Sequence, residues 1–556
     1  MPGMNRGRRL RARTDDGGSL LDPSWDQLPA LVEANVARRA TYDYDVQGKS
    51  LDRLSREARA CLIDDATAYT QAYRDIEVRN AECGMRNDAP VASFRTPHSE
   101  LRICLAGHQP ELFHPGVWSK NFALAKLAKS VGGVAVNLII DGDTLKSPSL
   151  RVPTGTVDEP RIVAVPFDAA TDELPFEDRE IVDAELFSSF GRRACEVIRP
   201  FVADPLLATF WPAVVEDSVA CRTLGECFSR ARHRLEGTWG VETLEFPQSR
   251  VCEGESFRWF TSHLLAQLPR FHEVHNAALL DYRRVEHIRS ANHPVPELER
   301  DDDWLEAPLW IWSATAPRRR RVFVRRTPEG LELTDRGSLR LPLPLHDDGN
   351  AESAVAALGD LARQGYRLRS RALLTTMYAR LVLGDVFLHG IGGGKYDELT
   401  DEIIRRFFGL EPPGFGVVTA TRRLPIAPPR DDPPDVEQLE RRLWELTHHP
   451  ERFVDPSTLS AQDAEAAARA IAEKRRWTAT EPTRENGKER CHAVRGANVA
   501  LQPWVAQVRL RTLENLETAR RRRRAETILH SREFSSFLFP GNDLRDFLLA
   551  FPAGAR

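Results

Sequence analysis

Apolar and polar positions alternate along the chain with two different periods. An apolar run, Leu101 to Ala106, precedes a turn rich in Gly, Pro and His; Leu124, Leu127, Ala128 and Val131 then recur at helical spacing from Ser119 to Ser130. Gly132-Gly133 closes that stretch, and a second apolar run, Val134 to Ile140, ends on Asp141-Gly142-Asp143. Strand, helix and strand with short links predict a βαβ unit, and hence a parallel sheet buried on both faces. Far downstream, Leu381 to His389 reads as another buried strand. It is followed by Gly390-Ile391-Gly392-Gly393-Gly394-Lys395 and a helix from about Asp397 to Phe408, closed by Gly409. One sheet interrupted by an insertion accounts for the distance between the two units.

The rest of the chain falls around that core. Residues 1–25 are charged, Gly-rich and aperiodic, as in a disordered leader. Residues 26–100 read as an N-terminal helical segment, with Leu54, Ala58 and Leu62 at helical spacing. The core is expected in two parts, 101–280 and 349–430, the second opening on a helix over 351–368. Between them, 281–348 carries strand patterns at 308–312 (PLWIW) and 320–326 (RRVFVRR), a small antiparallel β insert. A linker, Asp431 to Asp435, leads into a mostly helical region, 431–556. There Val436, Leu439, Leu443 and Leu446 follow coiled-coil spacing, and Asp435 with Gln438 forms a capping pair. Ala464–Trp477 and Trp504–His530 are two more helices, and the apolar tail over 536–551 is expected to dock on the body. The predicted class is α/β: a parallel-sheet core with an inserted small β subdomain and a C-terminal helical coiled-coil arm.

Composition narrows the function classes. With 42% hydrophobic and 28% charged residues and a net charge of −4, the 556-residue chain offers no global attraction for nucleic acid or an anionic membrane. No apolar run reaches 18 residues, and the N-terminus lacks the apolar stretch of a secretory signal. The eight cysteines form no C-x-x-C pair and match no zinc module, which suits a reducing cytoplasm and predicts no metal site built on them. Arg318–Arg321 and Arg520–Arg524 read as exposed strand and helix faces.

Candidate chemistry concentrates in two loops at strand ends. The first runs Gly107-His108-Gln109-Pro110-Glu111-Leu112-Phe113-His114-Pro115-Gly116. Its helix, with Ser119 as N-cap and Lys120 behind it, is expected to attract an anion, while His108 and His114 suit proton transfer or phosphate contacts near neutral pH. The alternative is that these histidines only cap and fill the loop. Asp141 and Asp143, at the carboxyl end of the second strand, suit a ribose hydroxyl, Mg²⁺ or an amino group; the alternative is a solvated Asp-Gly-Asp turn. The second loop fails as a phosphate-binding P-loop, because His389 and Tyr396 stand where Gly and Ser or Thr are needed. Gly392, Gly393 and Gly394 then serve close backbone approach to a ligand, with His389, Lys395 and Tyr396 as contacts, or simply form a tight turn. There is no G-x-S-x-G elbow and no H-E-x-x-H pattern.

Three segments, in order, carry a resemblance. The stretch at Gly107, Gln109, Leu112, Phe113 and Gly116 is similar to the G-Q-Q-x-G-L-F-x-G-P loop of the cysteine-adding enzymes of bacillithiol biosynthesis. Gly392 and Gly393, behind LRSRALLTT (368–376), resemble that family's G-G-P segment. The tail LFPGNDLRDFLL resembles its L-F-P-N-G-x-L-Q-E-R tail. The chain departs from the pattern at His108, Glu111 and His114, and it keeps only Asp141 and Asp143 of an acidic E-D-H-D cluster. The resemblance implies a Rossmann-like core akin to class I nucleotidyltransferases and a C-terminal coiled-coil arm that makes a homodimer. It also implies a ligase that condenses cysteine, or another amino acid, with an amino-sugar-type acceptor, with ATP or ADP and Mg as the cofactors to look for. In that reading His108, His114, Asp141 and Asp143 are the catalytic candidates; Gly107, Gln109, Gly116, Ser119, Lys120, Gly392, Gly393, Gly394, Lys395 and Tyr396 bind the small-molecule substrate. A non-catalytic dimeric scaffold and another nucleotide-dependent adenylyl- or nucleotidyltransferase are the alternatives.

Overall fold

The computed structural model describes residues 10–76, 101–347, 349–426 and 435–552. Residues 1–9 of the expected leader, 77–100 of the expected helical segment and 431–434 of the expected linker lie outside the described residues.

The central sheet is mostly parallel. Its spatial order is Ser19–Asp22, Gly416–Ala420, Val386–His389, Ile103–His108, Val134–Ile139 and Leu244–Pro247. The last five run parallel to one another, and Ser19–Asp22 pairs antiparallel with Gly416–Ala420 at one edge. Alternation along the strands divides their side chains between two cores. Ile103, Leu105, Val136, Leu138 and Phe387 face one cluster, while Cys104, Ala106, Ala135, Val386, Leu388 and Val418 face the other. The chain starts at the central strand Ile103–His108, adds Val134–Ile139 and Leu244–Pro247 on one side, and returns to add Val386–His389 and Gly416–Ala420 on the other. Winding therefore reverses between Ile103–His108 and Val386–His389, the place where open α/β sheets part at their carboxyl ends.

A second, antiparallel sheet has the order Arg340–Leu343, Gly330–Thr334, Ala316–Thr327, Trp304–Ser313 and Tyr366–Ser370. Its last strand corrects the expected boundary at 348. The helix expected over 351–368 stops at Arg363, and Tyr366–Ser370 hydrogen-bonds to Trp304–Ser313 as an edge strand.

Other expectations also shift. Ser19–Asp22 is a strand, because its backbone finds the open edge of Gly416–Ala420, so the leader is not disordered through residue 25. Leu381 to Leu383 belong to a π-helical turn, Ala379–Leu383, and the strand begins at Val386. The helix expected from Asp397 begins at Ile391. The helix expected from Ser119 begins at Pro115, whose fixed φ suits a first helical position. That helix, Pro115–Ser130, is buried nearly all round because it lies on the sheet and beneath the tail helix Gly541–Ala550: Lys126 Nζ donates to the carbonyls of Leu549 and Phe551 at 2.6 and 2.7 Å. The apolar tail is thus anchored, and Phe537 stacks on Phe210 with ring centroids 3.9 Å apart.

The described chain divides into two compact units. Residues 153–162 and 425–531 form one, and all else described above belongs to the other. Within the smaller unit Val436–His448 and Ala461–Ala479 each pack on a 43-residue helix, Gly487–Leu529, which begins well before the expected Trp504 and runs unbroken through Pro503. Asp435 caps Val436–His448 by accepting from the Glu437 amide at 2.8 Å, without Gln438. No helix among the described residues is long and apolar enough to cross a membrane.

Candidate functional site

The first loop is closed from within. His114, not Ser119, caps the helix Pro115–Ser130: its Nδ1 accepts from the Gly116 amide at 3.1 Å, and its carbonyl accepts from the amides of Val117 and Trp118. Pro115 has no amide hydrogen, so this helix start keeps no free donor for an anion. Ser119 lies inside the helix, fully buried, and donates back to the Gly116 carbonyl at 3.2 Å. Lys120 is buried too; its Nζ donates to the Gly107 carbonyl at 2.7 Å, and burial lowers its pKa to about 8. Glycine at 116 is required by contact, since a β-carbon there would stand 2.4 Å from the Ala420 carbonyl oxygen. His114 Nε2 faces Glu533 at 3.6 Å.

His108 is also committed inward. Its Nδ1 donates to the Gln109 carbonyl at 3.0 Å, and its Nε2 accepts from Asn137 at 3.3 Å. Burial, with Arg232 and Lys120 nearby, holds it well below the ordinary histidine range, hence neutral. Asn137 links it to Glu245, and Arg232 bridges Glu245 to Glu236, which accepts from Asn121 and Trp118 of the same helix. This network fills the space under the loop, and each pair in it offsets the cost of burying the other's charge.

The second loop is similarly occupied. Gly392, Gly393 and Gly394 form the first turn of Ile391–Ile403. A β-carbon at 393 would meet His389 Nδ1 at 2.7 Å, and one at 394 would meet Val417 Cγ2 at 2.5 Å. His389 is buried and bonds Asp397 through Nε2 at 2.8 Å; Asp397, drawn well below the usual carboxylate range by His389 and Arg380 against its burial, also holds Arg380 and Thr376. Lys395 is exposed, and Tyr396 packs on the core with its ring 5.9 Å from His293. The two loops do converge: Gly116 abuts Thr419 and Gly394 abuts Val417, two residues or roughly 7 Å apart on one strand. At the winding reversal, both strand-end histidines turn into the protein.

Open volume lies one strand further across. A cleft of about 550 Å³ sits at the carboxyl ends of Val134–Ile139 and Leu244–Pro247. Asp141 leaves the first strand into it and accepts from Ser249 Oγ at 2.5 Å and the Ser249 amide at 2.9 Å. Burial raises the Asp141 carboxyl, against these bonds and the pull of Arg369. Glu177, whose amide donates to the Asp141 carbonyl, receives Arg369 in a two-pronged pair at 2.9 and 2.7 Å. Burial nonetheless pushes Glu177 up to about 7, with Asp141 adding to the rise. Arg369 and Arg367 come from the edge strand Tyr366–Ser370, so the second sheet supplies the cationic wall. Arg222, Arg250 and Tyr69 also line it.

Of the expected site residues, only Asp141 lines this cleft. Asp143 accepts from Gln109 Nε2 at 3.1 Å and from Arg319 at 3.2 Å, and Arg319 also holds the Gly142 carbonyl. One member of the arginine run thus clamps the acidic turn rather than lying on an exposed face. Glu177, Ser249, Arg250 and Tyr69 had no local signal in the sequence; Arg369 lay inside the LRSRALLTT stretch without being singled out. Among the described residues no group of three or more His, Cys, Asp or Glu side chains is arranged to hold a metal ion. Comparison with family models and with curated proteins finds no match.

Proposed function

We propose that this protein is a carbon–nitrogen-bond-forming ligase or transferase with a Rossmann-like core of the class I nucleotidyltransferase kind. It would join cysteine, or another amino acid, to an amino-sugar-type acceptor, as the resemblance to the cysteine-adding enzymes implies, in a reducing cytoplasm. The observation that carries the reading is the placing of two carboxyls, Asp141 held by Ser249 and Glu177 paired with Arg369, in an open cleft at the carboxyl edge of a parallel sheet. Condensing a carboxyl with an amine forms the C–N bond and expels water, and the amine must first lose its ammonium proton. A carboxyl near 7 exchanges that proton at neutral pH, and the arginines complement a substrate carboxylate. The start of Pro115–Ser130 does not fit a nucleotide phosphate, because its amides are all bonded within the loop.

The test is mass-spectrometric detection of the amide formed from L-cysteine and a glucosamine-malate acceptor, with and without ATP. Glu177→Gln and Asp141→Asn are expected to slow it by about 100-fold or more while leaving the fold intact. No product and no acceptor binding would favour the scaffold; pyrophosphate release without a C–N product would favour an adenylyltransferase.

The long helix Gly487–Leu529 supports a homodimer. Val499, Leu510 and Leu513 are 69%, 58% and 44% exposed on it, at spacings that place them along one face. Leu510→Glu with Leu513→Glu is expected to yield a monomer in sedimentation velocity. A wild-type chain that is already monomeric rules the dimer out.

A further inference from the structure

Beside the cleft lies a second chamber, of about 650 Å³, which shares Tyr69, Arg250 and Glu253 with it. One wall is the helix Leu51–Gln71 with its C-cap, Ala72: Asp65, Ala68, Tyr69 and Ala72 line the chamber at i, i+3, i+4 and i+7. The alanines leave space, and the Phe246 and Tyr69 rings, 6.3 Å apart and edge to face, form an apolar floor. Four charged side chains line the chamber, those of Asp65, Arg230, Arg250 and Glu253. Arg230 pairs with Glu226, and Glu253 shares Arg369 with Glu177, accepting from it at 2.8 Å. Two of the four have no such partner. Among the described residues, no hydrogen bond or ion pair holds the side chain of Asp65 or of Arg250; Arg250 only lies over the Tyr69 ring, 5.0 Å from its centroid. One carboxylate and one guanidinium, both exposed and neither held by a protein partner, therefore line the chamber with its apolar floor. A simple anion would satisfy Arg250 and be repelled by Asp65. A molecule with an ammonium and a carboxylate on neighbouring atoms satisfies both.

We propose that this chamber seats an α-amino acid, its carboxylate on Arg250, its ammonium toward Asp65 and its side chain over Ala68, Ala72 and Phe246. The assignment rests on the ligase reading and gives its amino-acid substrate a place next to the cleft carboxyls. Tyr69, Arg250 and Glu253 line both chambers.

The experiment is calorimetric titration of the full chain with three probes: L-cysteine, cysteamine, which lacks the carboxylate, and 3-mercaptopropionate, which lacks the amine. The expected result is that Arg250→Ala weakens L-cysteine binding at least roughly tenfold but leaves cysteamine unchanged. Asp65→Asn weakens L-cysteine similarly but leaves 3-mercaptopropionate unchanged. Arg250→Lys is expected to restore part of the affinity. L-cysteine that binds equally well to wild type, Arg250→Ala and Asp65→Asn overturns the site while leaving the ligase reading standing. Probe-selective losses in a chain that forms no amide support the site and overturn the ligase reading. A wild-type chain that binds none of the three probes overturns the site.

Discussion

The loop Gly107–Gly116 and the cleft over Asp141 stand on the same edge of the same sheet, one strand apart, and they treat polar groups in opposite ways. In the loop, two histidines, a lysine and a helix start hold one another: His114 caps the helix, Lys120 ties down Gly107, and His108 joins the Asn137–Glu245–Arg232 network. In the cleft, carboxyls and arginines are held in place by Ser249 and by one another yet face open volume. Residue type alone does not separate the two. A polar group is available for chemistry when its partners fix its position without consuming its remaining donors or acceptors, and only the cleft meets that condition.

Acid should reveal the difference most strongly. His233, His263 and His275 have their pKa lowered by burial to about 3, 4 and 4, and His108 is lowered in the same way. The unfolded chain takes up protons on these groups near 6.5, where the folded chain does not. Their contribution to stability is therefore complete above about pH 6.5 and is lost as the pH falls toward 4. Glu177 in the cleft acts in the opposite sense, since a folded value near 7 against 4.5 unfolded stabilises the fold as pH falls through that window. The net expectation is a loss on the order of 3 kcal/mol between pH 7 and pH 5. Urea unfolding at the two pH values measures it, and Glu177→Gln should deepen the slope. A flat profile would mean that the histidines are not held neutral inside.

A second contrast is steric. Gly116→Ala drives a β-carbon into the Ala420 carbonyl and is expected to cost about 3 kcal/mol, read as a lower urea midpoint. Arg222→Ala on the cleft rim, where the side chain is largely exposed and 3.8 Å from Glu180, is expected to change stability by less than about 0.5 kcal/mol. If Gly116→Ala folds with unchanged stability, the loop is looser than its contacts imply, and the start of Pro115–Ser130 returns as a ligand site.

Several elements were legible because their cause is local. The βαβ unit over residues 103–139 follows from unbroken apolar runs and a Gly-Gly stop, the antiparallel sheet from its alternation, and the docked tail from apolar residues too many to leave in water. Ser19–Asp22 was not legible, since only the open edge of Gly416–Ala420 makes a strand of it. Nor was Tyr366–Ser370, an Arg-rich segment that reads as the end of a helix until Trp304–Ser313 offers it a ladder. Asp141 was found from its place at a strand end. Glu177, Ser249, Arg250 and Tyr69 lie on separate elements with no motif joining them.

The sequence by itself determined the α/β class, the strand ends where polar residues gather and the absence of a P-loop, because these depend on period and on neighbours within a few positions. The tertiary structure alone decided which of those polar residues remain available. His108, His114 and Lys120 are spent on groups brought to them from Gln109, Asn137 and Glu533 and from the loop's own backbone. Asp141 meets Ser249 and Glu177, with Arg369 beside them, only when three distant segments close on one edge of the sheet. Burial and hydrogen-bond satisfaction are properties of that closure, and no local pattern encodes them.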